Sequence, residues 1–353
     1  MTDRTLTPAE SEAVIAQRLD EITPPRPPER APGVRPMAVL IGGQPGAGKS
    51  TTQDLVQRAL GADTTASYDF DDNAAAHPRY RAILRTGGLD AHRDVHESLP
   101  PDLHRRCLDH LRTGETQYDV VASAPLQWDE GAKPWVDGFA GEGYRVAVVY
   151  VATNDANSLL GVANRYQQAK DDNGVGRWVA PRLHDSAYRG VPDAAHALES
   201  QAYVDDIYVV DRDGNVLFEN HRKDDGTMEH PEGARDAIIA ERNRPPTPAE
   251  RDHFRDVAVP LLRHDPELEE PVRDAVSEAM QREVARAAPE DHNRQPSPEH
   301  RIDQRLADLQ RITGSGIAPP HAIGPPSSRP PETAHGSDGG RSGRSMDGGS
   351  RDR

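Results

Sequence analysis

From Pro36 to about Asn220, short apolar runs alternate with longer stretches of helical periodicity. MAVLIG at 37–42, a short run at 67–69, YDVVAS at 118–123, RVAVVYVA at 145–152 and IYVVDRDGNVLFE at 207–219 read as strands. This rhythm predicts an α/β fold, a parallel sheet with helices on both faces. The last run reads as a hairpin turning at Asp213, Gly214 and Asn215. Ahead of the sheet, Thr7 is placed to cap a helix over PAESEAVIAQRLDEI, and PPRPPERAPGVRP then breaks the pattern. That helix reads as an appendage, either packing at the edge of the core or covering a site in cis.

The character changes after Glu219. HRKDDGTMEHPEG is a polar connector, and 232–243, 247–263, 267–288 and 298–312 read as charged amphipathic helices. From Thr313 the chain is mostly Gly, Pro, Ser and Arg, with too little apolar surface to offset the entropy of ordering, so a disordered tail is expected.

Charge narrows the functional classes. Lys+Arg 42 against Asp+Glu 58 leaves a net charge of -16, which disfavours non-specific attraction to nucleic acid or anionic lipid, so a bound phosphate must be held locally. The longest apolar run, near Val146 to Ala152, is far short of the ~18 residues a membrane span needs. The start of the chain lacks a basic, apolar leader, and a soluble cytoplasmic protein is expected. The lone cysteine, Cys107, excludes an internal disulfide and reads as a buried structural thiol.

The strongest chemical signal follows the first strand. Gly43-Gln44-Pro45-Gly46-Ala47-Gly48-Lys49-Ser50, with Thr51 next, fits G-x-x-x-x-G-K-[ST] between a strand and a helix. Glycines let the backbone turn its N–H groups onto a phosphate, and the helix N-terminus adds partial positive charge. Lys49 is then expected on the β- and γ-phosphates of ATP, and Ser50 on Mg²⁺.

About twenty residues later stand Asp69, Phe70, Asp71 and Asp72. Carboxylates here serve either as a general base beside the phosphates or as a solvated helix start, and the cluster alone leaves both readings open. Arg165 and Arg177 bracket a Gly- and Asp-rich loop. Each suits a transferring phosphoryl group, and Arg165, like Arg182, equally suits a surface ion pair.

Taken in order, IGGQPGAGKST, DFDDNAAAHPRY, GVANRYQQA, GRWVAPRLHD and DIYVVDRDGNVLFEN resemble the zeta toxin family across roughly residues 30 to 220. Its members are P-loop kinases that phosphorylate the sugar of UDP-N-acetylglucosamine. The resemblance implies a P-loop kinase-like parallel sheet, Asp71 as general base, and Asp69 as the first carboxylate of the same motif and, with Ser50, a Mg²⁺ ligand. It makes Arg165 and Arg177 the phosphate-contacting arginines. It also implies ATP as phosphoryl donor, a nucleotide-sugar substrate and a small helical antitoxin as partner.

The chain then divides into an N-terminal helix and linker (1–30), a kinase domain (31–222), a charged helical extension (223–312) and the tail (313–353). Two departures bear on the acceptor. The family's V-x-E-G-T segment is replaced by VVASAPLQW, with Ser123, Ala124 and Pro125, and a substrate-side glutamate helix by HESLPPDLHRRCLDHL, where Glu97 is a candidate. A kinase of another hydroxylated metabolite or antibiotic, or a non-catalytic ATP-binding module, are the competing readings. His77 and His96 read as ordinary polar contacts.

Overall fold

A computed structural model describes residues 3–114, 116–123, 126–263 and 268–286. The helix expected at 298–312, the tail from 313, and Ala124 and Pro125 lie outside the described residues.

Six strands form one sheet in the order β2-β3-β1-β4-β5-β6. They are β1 (Met37–Gly42), β2 (Thr65–Asp69), β3 (Asp119–Ser123), β4 (Arg145–Val151), β5 (Asp206–Val210) and β6 (Val216–His221). The first five are parallel, with Val39 of β1 opposite Val121 of β3 on one side and Ala147 of β4 on the other. β6 returns antiparallel to β5 through the expected hairpin.

Every residue of β1 is buried, as a central parallel strand covered on both faces requires. The helices are α1 (Pro8–Ile22), α2 (Lys49–Leu60), α3 (Tyr80–Gly87), α4 (Ala91–Ser98), α5 (Leu103–Arg112) and α6 (Asp129–Gly141). They continue with α7 (Asp155–Asn173), α8 (Pro181–Glu199), α9 (Ala234–Asn243), α10 (Pro248–Arg263) and α11 (Glu270–Arg286). A 3-10 turn spans Phe70–Ala76.

Alternation along the strands splits the core into two layers. Leu40, Tyr68, Val148, Tyr150 and Val209 face α1, α5, α6, α8 and α9. Val39, Ile41, Val121, Val149 and Val210 face the other way, onto Val56 of α2. A third cluster sets Leu159, Ala163 and Tyr166 of α7 against Phe254 and Leu261 of α10 and Val272 and Val276 of α11.

Of the two readings of α1, packing at the edge of the core is the one seen, beside the edge strand β2 and α5. Val14, Ile15 and Ile22 are buried there, because its apolar positions make a stripe wide enough to cover α5. Among the described residues no helix is long and apolar enough to cross a membrane.

The architecture puts chemistry at one edge. β1 lies where the order reverses, with β3 and β2 laid to one side and β4 and β5 to the other, so the loops after these strands surround a crevice at their carboxyl ends.

The helix α9 is joined to this frame by a buried carboxylate. Gly233 offers α9 no side-chain cap, and Glu199 of α8 supplies one by accepting from the Gly233 and Ala234 amides at 3.0 and 2.9 Å and from Asn220 Nδ2 at 2.8 Å. Replacing it strands three donors, so Glu199→Ala should lower stability in urea unfolding by about 3 kcal/mol.

Candidate active site

The loop after β1 is shaped by what it touches. Gly46 has φ +77°, and a Cβ there would fall 2.0 Å from the Ser158 carbonyl oxygen in the first turn of α7. Gly48, at φ +105°, makes the left-handed step into α2, with the aliphatic stem of Arg212 against it. Only glycine meets both demands. The loop's one large side chain, Gln44, is fully buried. Its Nε2 donates to Thr153 O at 2.7 Å and Ser158 Oγ at 3.1 Å, while its Oε1 accepts from Arg242 of α9 at 2.7 Å.

Arg242 itself stacks 4.0 Å above the Tyr188 ring and donates to the Tyr188 carbonyl. Burial draws its pKa down to about 10. Behind Ser158 the chain of contacts continues outward. His184 Nε2 lies 2.8 Å from Ser158 Oγ, His184 Nδ1 lies 2.9 Å from Asp185, and Arg282 of α11 holds Asp185 with two hydrogen bonds.

Lys49 folds back across the loop, donating to the carbonyls of Gly43 at 3.0 Å and Gln44 at 3.3 Å. Burial, aided by the Arg165 charge, depresses its ammonium to about 8. Facing it, Asp69 ends β2 and caps the 3-10 turn by accepting from the Asp71 amide at 2.9 Å. Burial and the charge of Asp71 both raise the Asp69 pKa. Burial also works to raise Asp71, but the paired Arg177 guanidinium prevails and holds it below the ordinary carboxylate value.

Arg165 projects from α7 into the same cleft, open to solvent yet surrounded by protein. The surrounding mass and the nearby Arg177 charge lower its pKa. It has no ion-pair partner among the described residues, so the surface salt bridge that its helix position allowed is absent there. Lys49, Asp69, Asp71, Arg165 and Arg177 thus share one electrostatic neighbourhood.

Two kinds of ligand fit these groups. Backbone amides at the start of α2, with Lys49 and two arginines, suit a polyphosphate. The exposed Ser50 hydroxyl and the half-buried Asp69 carboxylate, whose pKa burial and the Asp71 charge raise, are hard oxygen donors of the kind Mg²⁺ takes. Thr51 is exposed beside Ser50 on the same turn.

Other sequence candidates fall elsewhere. Glu97 is 71% exposed and lies 3.8 Å from Arg93 one turn earlier. Arg182 is exposed on α8. His77 has a polar-contact role, with Nε2 at Arg4 O and Nδ1 accepting from the Arg79 amide. Cys107 is buried in the core, its thiol pushed up to about 11 by burial.

His96 lies against a carboxylate of the cleft. Its Nε2 is 4.0 Å from Asp71 Oδ1, and Phe70 stacks on its ring at 5.1 Å. His92, which the sequence reading passed over, lies beside it, depressed to about 3 by burial and the Arg177 charge. The spacing of the two histidines, four residues on one helix, was the available signal. Arg242 carried no such signal, because its partner Gln44 is 198 residues away.

Residues 25–223 match the family described as Zeta toxin, more than half of the chain. This chain belongs to the zeta toxin family. It is 24% identical over 189 residues to toxin PezT of Streptococcus pneumoniae serotype 4, covering 53% of this chain and 72% of PezT. To toxin zeta of Enterococcus hirae it is 23% identical over 185 residues, spanning 52% of this chain and 63% of that protein. A solved structure from the PezAT chromosomal toxin-antitoxin system of Streptococcus pneumoniae superposes with a TM-score of 0.59 at 20% identity. It covers 74% of this chain and 98% of that one, and has the same fold. Membership of this family supports a P-loop phosphotransferase of the ATP-dependent kinase type.

The Arg242 contact yields a direct test of how the loop is held. Arg242→Met should leave Gln44 Oε1 without its guanidinium, costing about 1–3 kcal/mol. Hydrogen exchange at amides 43, 44 and 46–49 should rise with it, while β4 amides stay protected.

Proposed function

We propose that this chain transfers the γ-phosphoryl group of ATP to a sugar hydroxyl of UDP-N-acetylglucosamine or a related nucleotide sugar. The observation carrying this reading is the meeting of Lys49, Asp69, Asp71, Arg165 and Arg177 around one glycine loop at the carboxyl edge of the sheet. In this mechanism the loop amides of Gly43 to Thr51 and the Lys49 ammonium hold the β- and γ-phosphates. Asp71, kept ionised by Arg177, takes the proton of the attacking hydroxyl. Arg165 and Arg177 then spread the charge of the loose transition state over two guanidiniums. Bound Mg²⁺, on Ser50 and Asp69, would neutralise charge across the phosphates.

A different acceptor is the second reading. It is favoured by the acceptor side of the cleft, where α4 offers imidazoles and leaves Glu97 exposed. Ser123 ends β3 where the family pattern carries a glutamate. By analogy with the PezAT system, we also propose a helical antitoxin that covers the nucleotide cleft. A non-catalytic ATP-binding module is the remaining alternative, distinguished by nucleotide bound without turnover.

The test is mass spectrometry of UDP-N-acetylglucosamine and other nucleotide sugars after incubation with the protein, ATP and Mg²⁺. One added phosphate is expected. Asp71→Asn should retain ATP and lose turnover by about a hundredfold or more, whereas Lys49→Ala should lose both. Turnover of Asp71→Asn near the parent rate would remove Asp71 as the base. Transfer only to other hydroxylated molecules would replace the acceptor.

A pH dependence accompanies this. Bound phosphate favours the charged form of Lys49, whose pKa in the free protein is about 8. ATP affinity, measured by equilibrium dialysis, should be level below pH 8 and fall above it by up to about tenfold per unit.

A further inference from the structure

We propose that Asp71, His92 and His96 form a binding site for a divalent transition cation of the Zn²⁺ class, and that its occupation blocks phosphoryl transfer. The site begins with helix geometry. His92 and His96 stand one turn apart on α4, so their rings share a face, with centroids 4.8 Å apart. That face meets the 3-10 turn, which brings Asp71 up to them. One nitrogen of each imidazole and one carboxylate oxygen lie within 4.8 Å of one another. Tetrahedral bonds of ~2.0–2.1 Å set ligand atoms about 3.3 Å apart, a closure within the reach of side-chain rotation.

The unmet hydrogen-bonding capacity points to a ligand. His92 is only 8% exposed, and both His92 Nε2 and His96 Nε2 are buried with no hydrogen-bond partner. Buried imidazole nitrogens ordinarily have one. The rings are also held from behind. The Tyr80 hydroxyl lies 3.4 Å from His92 Nδ1, and Phe70 stacks on His96, the kind of outer support that orients metal-binding histidines.

Two nitrogens and one oxygen with open positions suit Zn²⁺ or Co²⁺ and not Mg²⁺, which takes oxygen donors such as Ser50 and Asp69. The two cations therefore separate by donor chemistry. The competitor for Asp71 is Arg177, which pairs with it. That guanidinium holds Asp71 Oδ2, whereas His96 faces Oδ1, so Arg177 opposes a cation by its charge. Binding stands on this geometry alone, whereas the block on transfer rests on Asp71 being the base proposed above.

The experiment uses the untagged full chain with Mg²⁺ in excess, titrated with Co²⁺ and followed by visible absorption, then with Zn²⁺ by calorimetry. One equivalent is expected, with the bands of a low-symmetry nitrogen-oxygen site. His92→Gln and His96→Gln should each weaken binding about tenfold or more, and the double variant should abolish it. Arg177→Ala should tighten binding. His196→Ala, at an exposed histidine of α8, should change nothing.

Metal-free thermal melts of each variant separate lost ligands from lost folding. No stoichiometric binding by the parent chain, or equal binding by the folded double variant, would overturn the site. Where the parent shows turnover, Zn²⁺ should inhibit it, and the double variant's residual turnover should resist. Inhibition of both alike would overturn the block while leaving the binding result to stand or fall by itself. A parent that binds Co²⁺ and phosphorylates nothing refutes the kinase reading, and with it the block, but not the site.

Discussion

The close approach of Gly46 to the first turn of α7 governs the rest of this cleft. Because no side chain separates the loop from the Ser158 carbonyl, the phosphate cradle and α7 are locked at backbone distance. Gly161, one turn further along, meets the Gly46 carbonyl in the same way. Arg165 lies one more turn along that helix, and Arg177 follows where the helix ends at Gly174. A single backbone contact thereby sets the distance between the cradle and the guanidiniums opposite it. A methyl group at Gly46 would push all three apart.

The helices after the sheet take part in that lock. Arg242 reaches from α9 to the buried amide of Gln44, and Arg282 reaches from α11 through Asp185 and His184 to Ser158. Both routes end on the Gln44 side chain, one at Oε1 and the other through Ser158 at Nε2. Such contacts are demanding, since a buried guanidinium needs partners for its charge and its face; the Tyr188 carbonyl and Gln44 Oε1 take its two terminal nitrogens and the Tyr188 ring its face, while Nε stays unpaired. The charged helical extension is thus tied into the phosphate-binding loop through side chains.

Electrostatics in the cleft runs against the molecule as a whole. A chain of net charge -16 concentrates Lys49, Arg165 and Arg177 within one small volume. Their mutual repulsion is offset partly by Asp69 and Asp71, and the depressed pKa of Lys49 reflects burial first and the Arg165 charge second. A polyphosphate entering this space supplies the missing negative charge, so local placement achieves what net charge opposes.

What was legible in the sequence had a local cause. The strands could be read because a buried parallel strand is apolar throughout, and the loop because its glycines, lysine and serine are neighbours in the chain. Asp71, Arg165 and Arg177 came from an ordered family pattern, since no local rule separates a cleft arginine from a surface one. The sequence by itself determined the sheet, the cradle and the family. Tertiary structure alone decided that α1 joins the core, that Glu97 faces solvent, that His92 and His96 face Asp71, and that Arg242 holds Gln44. Each depends on which helix face meets which strand end across tens to hundreds of residues, and packing settles that where local periodicity cannot.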